Sequence, residues 1–146
     1  MQTRIFRTSS TNQDFIKLVK ELDAYLKTTD GEEHDFYNQF NSIDVLKHVV
    51  LVFVDEKPVA CGAMKPFDFE TIEIKRMYVS PKNRGVGIAQ KVLHELEGWA
   101  KELTYKKCIL ETGEAVKFYH KCKYTLIPNY GQYIGMENSF CFKKTI

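Results

Sequence analysis

Apolar residues near the start of the chain recur with the spacing of a helix face. Phe15, Leu18, Val19, Leu22 and Leu26 predict a helix over "STNQDFIKLVKELDAYLK", with Ser10 and Gln13 as a capping box. "TRIFRT" before it reads as a strand, and "EEHDFYNQF" after it as a short second helix carried by Phe36, Tyr37 and Phe40. The period then shortens. "HVVLVFVDEKPVACGAMKPF" holds two β-branched, apolar runs joined by "DEKP", which predicts a hairpin. "ETIEIKRMYV" extends it into a meander, with Ile72, Ile74, Arg76 and Tyr78 expected on one face and Glu73, Lys75, Met77 and Val79 on the other. Helical spacing returns between Gly85 and about Leu103, where Ala89, Val92, Leu93, Leu96, Trp99, Ala100 and Leu103 form one stripe. "KKCILE", "YTLIP" and "SFCFKK" read as strands and "EAVKFYHKC" as a short helix. The expected order is β-α-α-β-β-β-α-β-α-β-β, an α+β arrangement of sheet and covering helices.

A chain of 146 residues has room for one domain, residues 1–146, that buries about 70% of its unfolded surface and needs neither metal nor disulfide for its core. The net charge of +2 argues against a nucleic-acid binder. Its distribution is more informative, because residues 75–91 carry five basic side chains and no acid, whereas residues 28–46 carry five acids and no Lys or Arg. One surface is expected to attract anions and another cations, unless the two are ordinary solvated faces. Cys61, Cys108, Cys122 and Cys141 lack paired or zinc-ligand spacing and read as buried free thiols. With no signal peptide and no long apolar run, the expectation is a cytoplasmic protein that avoids the membrane.

The chemistry concentrates in "SPKNRGVGIAQKVLHELE", residues 80–97, where two glycines lie between an extended run and an amphipathic helix. A helix N-terminus offers unpaired N–H groups and the positive end of a dipole, and glycines let a phosphate approach the backbone. A Walker loop is excluded by Ile88, which stands where Lys-Ser/Thr would be needed. A dinucleotide fingerprint fits only partly, because Gln90 occupies the third glycine position.

Arg84, Gly87 and Ala89, led in by "RMYVSP", fill the Arg/Gln-x-x-Gly-x-Gly/Ala signature, and on them the chain resembles the GNAT superfamily of N-acetyltransferases. "LETG", "KFYHKCKY" and "IPNYGQY" look like one bacterial branch of it, so the resemblance spans essentially the whole chain. It implies a mixed, mostly antiparallel central sheet with helices on both faces, and acetyl-CoA as co-substrate without a metal. By resemblance, acetyl-CoA is held by Arg84, Gly85, Val86, Gly87, Ile88 and Ala89 at its diphosphate, by Met77, Tyr78 and Val79 along its pantetheine arm, and near its sulfur by Phe118 and Tyr119. A backbone N–H of Val79 or Tyr78 would meet the oxyanion.

Glu73 matches the family's general base, the alternative being an exposed strand carboxylate paired with Lys75. Tyr119 matches its general acid, the alternative being a core aromatic; His120, one helical step on, is expected to face solvent. The acceptor, a small-molecule or peptide amine, is expected over the first two helices, where Asp30, Glu32, Glu33 and Asp35 would draw a cation. Tyr25, His34, Tyr37, Arg76, Glu111 and Tyr130 are its candidate contacts, with Asn129, Gln132 and Tyr133 as further wall. His34, His48 and His94 have no partner at a telling spacing and read as structural, which stands as the alternative for His34, and Glu111 could equally do no more than end its strand.

Two departures from the family pattern stand out. The segment after "LETG" is short, which predicts a tight turn or chain break at Gly113 and Glu114, and Lys123 replaces the glycine that normally ends the following helix. A homodimer through an edge strand is allowed. The alternative activity is a catalytically silent acyl-CoA binding module.

Overall fold

The computed structural model describes residues 2–34, 37 and 46–146. Its strands are β1 (Thr3–Thr8), β2 (His48–Val54), β3 (Lys57–Pro66), β4 (Thr71–Val79), β5 (Lys107–Thr112), β6 (Thr125–Ile127) and β7 (Phe140–Thr145). Its helices, among the described residues, include α1 (Gln13–Asp30), α2 (Ile88–Glu102) and α3 (Val116–Lys121). The second helix expected from the sequence, with Asp35, Phe36 and Phe40, lies largely outside the described residues. Hydrogen-bonded neighbours run β1-β2-β3-β4-β5-β7-β6. The β1/β2, β2/β3, β5/β7 and β6/β7 pairs are antiparallel and β4/β5 is parallel, so the sheet is mixed and mostly antiparallel, as expected.

The chain divides into two compact units, Met1–Lys65 with Lys75–Leu96, and Pro66–Ile74 with Glu97–Ile146. In the first, α1 starts two residues later than a Ser10 capping box requires. Asn12 is the cap, its side-chain oxygen accepting from the N–H groups of Asp14 at 2.9 Å and Phe15 at 3.1 Å. The face predicted from spacing is the buried one: Phe15, Leu18, Val19 and Leu22 pack on Val49, Leu51, Phe53, Cys61 and Ala63. Each such side chain contributes roughly 1.5–3 kcal/mol of burial. Gly62, between Cys61 and Ala63, faces the other way. A Cβ there would stand 2.6 Å from Met77 Sδ and from Val92 Cγ1, so α2 covers the second face and needs a bare backbone beneath it.

The hairpin turn is tighter than "DEKP". Asp55 and Glu56 alone form it, both at positive φ (49° and 68°), and Val54 pairs with Lys57. Pro58 is therefore inside β3, opposite Phe53, at a register shift where a missing N–H is tolerated.

In the second unit, β5 pairs with β7 from Lys107↔Thr145 to Thr112↔Phe140. The predicted tight turn is present at Gly113 and Glu114: Thr112 Oγ1 accepts from the N–H of Ala115 at 3.0 Å and turns the chain into α3. At the far end of α3, Lys123 adopts φ 75°. The Tyr124 N–H donates to the Tyr119 carbonyl (3.0 Å) and the Lys123 N–H to that of His120 (3.1 Å), the paired bonds of a left-handed helix stop. A buried carboxylate unanticipated from sequence, Glu97, accepts from Tyr124 Oη at 2.8 Å and from Lys144 Nζ at 3.0 Å.

Two substitutions test this packing in urea unfolding. Lys123→Gly relieves the left-handed strain and is expected to raise stability by about 0.5–1 kcal/mol. Gly62→Ala forces Met77, Val92 and Leu96 outward and is expected to lower it by about 1–3 kcal/mol.

Candidate functional site

In the first unit, β4 ends at Val79, a 3₁₀ turn occupies Pro81–Asn83, and α2 begins at Ile88. Gly85 and Gly87 lie at φ 81° and 86°, a conformation that side chains resist, and among the described residues nothing stands within 4 Å of where their Cβ atoms would be. The first helical bond runs from the Lys91 N–H to the Gly87 carbonyl at 3.3 Å. By helix geometry the N–H groups of Ile88, Ala89 and Gln90 have no partner within the helix. No acid lies in that first turn, so the dipole's positive end is not neutralised there. Unpaired N–H groups and an unneutralised dipole at a helix start attract an anion.

Arg84 is tied to the strand. Its Nε donates to the Val79 carbonyl at 2.8 Å, and its guanidinium lies 5.5 Å from the Tyr25 ring centre and 5.7 Å from that of Tyr78. Tyr25, expected at the acceptor, is therefore beside the cradle arginine. Tyr78 donates its hydroxyl to Glu21 at 3.3 Å, and burial followed by the Glu21 charge raises its pKa.

β4 does not alternate strictly as the sequence predicts. Arg76 has φ 59° in mid-strand, a left-handed residue costing roughly 1–2 kcal/mol. Its guanidinium, almost fully buried, is paired with Asp23 of α1 at 2.8 Å, and its carbonyl accepts from Cys61 Sγ at 3.4 Å. A buried charge-assisted bond offsets the strain that a β-branched or unpaired side chain could not. His34 Nδ1 lies 3.7 Å from Asp30, and Tyr37 is half-buried.

In the second unit, Glu73 lies in the parallel ladder of residues 71–73 with 107–109. It is only 3% exposed, which removes the alternative of a surface carboxylate paired with Lys75. Tyr130 donates its hydroxyl to Glu73 Oε2 at 2.7 Å. Tyr133 and Cys141 both have pKa values raised first by burial and also by the charges of Glu111 and Glu73; the Cys141 thiol reaches about 11. Glu111, half-buried, thus shares this cluster with Glu73.

Tyr119 is buried among Phe118, Tyr124 and Phe142, with ring centres 5.0, 5.8 and 6.0 Å away. Burial, then Cys122 and Glu111, raises its pKa, so the phenol keeps its proton. His120 is exposed, as expected, although its ring edge meets Phe142 at 5.1 Å. All four cysteines are free and buried, and desolvation raises the Cys61 and Cys108 thiols to about 12. Among the described residues, no cluster of His, Cys, Asp and Glu could hold a metal, and no helix is long and apolar enough to cross a membrane.

Comparison with known proteins adds to this geometry. The model of the acetyltransferase (GNAT) family matches residues 15–124. No curated protein matches the chain significantly. Among solved structures, a Klebsiella pneumoniae subsp. pneumoniae MGH 78578 protein classed with the acyl-CoA N-acyltransferases superposes with a TM-score of 0.81 at 23% identity, over 99% of this chain and 97% of that one. PaiA N-acetyltransferase from Thermoplasma acidophilum, solved in complex with coenzyme A, gives 0.70 at 17% identity over 100% of both chains. A GNAT family acetyltransferase from Elizabethkingia anophelis with acetyl-CoA bound gives 0.68 at 19% identity, over 99% and 98%. The likeness to these three is one of fold.

The aromatic burial has a consequence at high pH. Tyr119, Tyr124, Tyr130 and Tyr133 have folded pKa values raised above the unfolded value of about 10. Below that value both states hold the phenol proton. Above it the unfolded chain ionises first, so stability falls as pH rises, by up to about 1.4 kcal/mol per pH unit for each. Phenolate absorbance at these four is expected to appear only with unfolding, which far-UV circular dichroism recorded alongside will check.

Proposed function

Because the chain belongs to the acetyltransferase (GNAT) family, whose activity is acyl transfer from an acyl-CoA, we propose that it moves an acetyl group from acetyl-CoA to a primary amine of a small molecule or peptide by direct attack in a ternary complex. The observation that carries this reading is the bare cradle, Gly85 and Gly87 at positive φ before the N-terminus of α2. In it, N–H groups from Arg84 to Ala89 hold the coenzyme's diphosphate, and Met77, Tyr78 and Val79 pair with its pantetheine arm.

The acceptor arrives as an ammonium with a pKa near about 10, and Glu73 takes its proton, directly or through water. The amine nitrogen then attacks the thioester carbonyl. A C–N bond forms, the oxyanion is met by the N–H of Tyr78 or Val79, and the C–S bond breaks as the carbonyl re-forms. Tyr119 supplies the proton that the departing thiolate takes up, the second proton of the attacking nitrogen passes through water to the resulting phenolate, and Glu73 returns its own proton to solvent; the raised pKa of Tyr119 means that the phenol is protonated when the step begins. His34, Tyr37 and Glu111 are assigned to the acceptor side, whereas of the other candidates Tyr25 lies against Arg84, Arg76 is paired with Asp23 and Tyr130 donates to Glu73. Residues 1–146 act as one domain without a metal on a small-molecule or peptide amine in a bacterial cytoplasm, alone or as a homodimer.

Free thiol release from acetyl-CoA over a panel of amines tests this. Turnover is expected to fall by roughly 10²–10⁴-fold in Glu73→Gln and to drop in Tyr119→Phe. Acetyl-CoA at a hundred times its Kd should stabilise both variants by about 2.7 kcal/mol, and Gly87→Val should lose that stabilisation. Coenzyme binding without turnover on any amine would instead identify a silent acyl-CoA module.

A further inference from the structure

Tyr130 entered the candidate list as an acceptor contact, yet its hydroxyl is already committed: it donates to Glu73 Oε2 at 2.7 Å, the short distance of a charge-assisted bond. The loop that delivers it is braced from within. Asn129 Nδ2 donates to the carbonyls of Tyr133 and Met136, both at 3.0 Å, and only the amide nitrogen can serve two carbonyls at once. The Tyr133 N–H returns to the Tyr130 carbonyl at 3.0 Å and the Met136 N–H to that of Tyr133 at 3.0 Å. The Tyr130 ring is wedged edge-on between Phe67, 5.4 Å away, and Tyr133, 5.7 Å away. A side chain held this firmly is a poor adaptive wall for a substrate. It is well suited to arresting the rotation of a flexible carboxylate.

We infer that Tyr130 is a positioning residue, carried on the loop braced by Asn129, that fixes one oxygen of Glu73 so that the other stays aimed at the acceptor's proton. This rests on the assignment of Glu73 as base. Preorganisation of this kind acts on the chemical step, not on coenzyme affinity. Burial followed by the nearby Glu73 charge raises the phenol's pKa, so the hydroxyl remains a donor throughout the working pH range.

The full chain and its Tyr130→Phe, Glu73→Gln and doubly substituted forms decide the matter. Tyr130→Phe is expected to lower kcat about tenfold with KM for acetyl-CoA unchanged, and to change kcat less than about twofold in the Glu73→Gln background, as residues acting as a unit do. Asn129→Ala should reproduce the kcat loss with Tyr130 in place. An unchanged kcat in Tyr130→Phe, an equal fractional loss in both backgrounds, or a rise only in the amine's KM would overturn the inference while leaving Glu73 as base. Full turnover in Glu73→Gln would remove the base and the inference together. Independently of turnover, proton NMR should resolve a downfield, exchange-protected tyrosine hydroxyl that vanishes in both Tyr130→Phe and Glu73→Gln. Its absence from the unsubstituted protein would also overturn the proposal.

Discussion

The first turn of an α-helix carries N–H groups that no residue inside the helix can satisfy, and in the first unit of this protein the first turn of α2 follows two exposed glycines. Two glycines at φ 81° and 86° keep side chains out of the approach, and the first turn contains no acid to neutralise the dipole. Arg84 adds a fixed positive charge, held by the Val79 carbonyl and the faces of Tyr25 and Tyr78. The proposed diphosphate site thus draws on backbone geometry first and on side-chain charge second.

β4 carries the residues on which the proposed chemistry depends, and it departs from regularity where they lie. A left-handed arginine in mid-strand persists only where its surroundings over-determine it. Here Asp23 holds the guanidinium at 2.8 Å and Cys61 holds the carbonyl. The strain is local to the first unit. Three residues earlier, Glu73 still belongs to a regular parallel ladder in the second unit, so its backbone is rigid where a base would need to be.

The second unit buries the carboxylates of Glu73 and Glu97 near the phenols of Tyr119, Tyr124 and Tyr133. Each buried carboxylate has a phenol partner: Tyr124 on Glu97 and Tyr130 on Glu73. Glu97 also has the Lys144 ammonium at 3.0 Å, which makes it a structural ion pair, whereas the described contacts of Glu73 centre on tyrosine. A phenol can restrain a carboxylate without neutralising it. The proposed role of Glu73 as base draws on that chemical difference.

Periodicity made nearly all the elements readable, because helix and strand faces must be apolar at fixed intervals whatever they pack against. Phe15, Leu18, Val19 and Leu22 sit where spacing put them, and the turn at Gly113 and the left-handed Lys123 follow from local chain chemistry alone. The cradle was legible for the same reason, since Gly85, Gly87 and the helix start are consecutive. What local pattern could not supply was anything requiring residues distant in sequence to meet. The left-handed Arg76 depends on Asp23, 53 residues away, and the commitment of Tyr130 to Glu73 spans 57. The cap at Asn12 rather than Ser10, and the placing of Pro58 inside β3, were choices among nearly equal local options that packing and register decided. Sequence alone thus determined which elements form and where a glycine-flanked helix start lies, because those follow from short-range sterics and unpaired backbone groups. Tertiary structure alone decided which carboxylate is buried, which tyrosine restrains it and which residue bears backbone strain, because burial and hydrogen bonding are properties of neighbours in space.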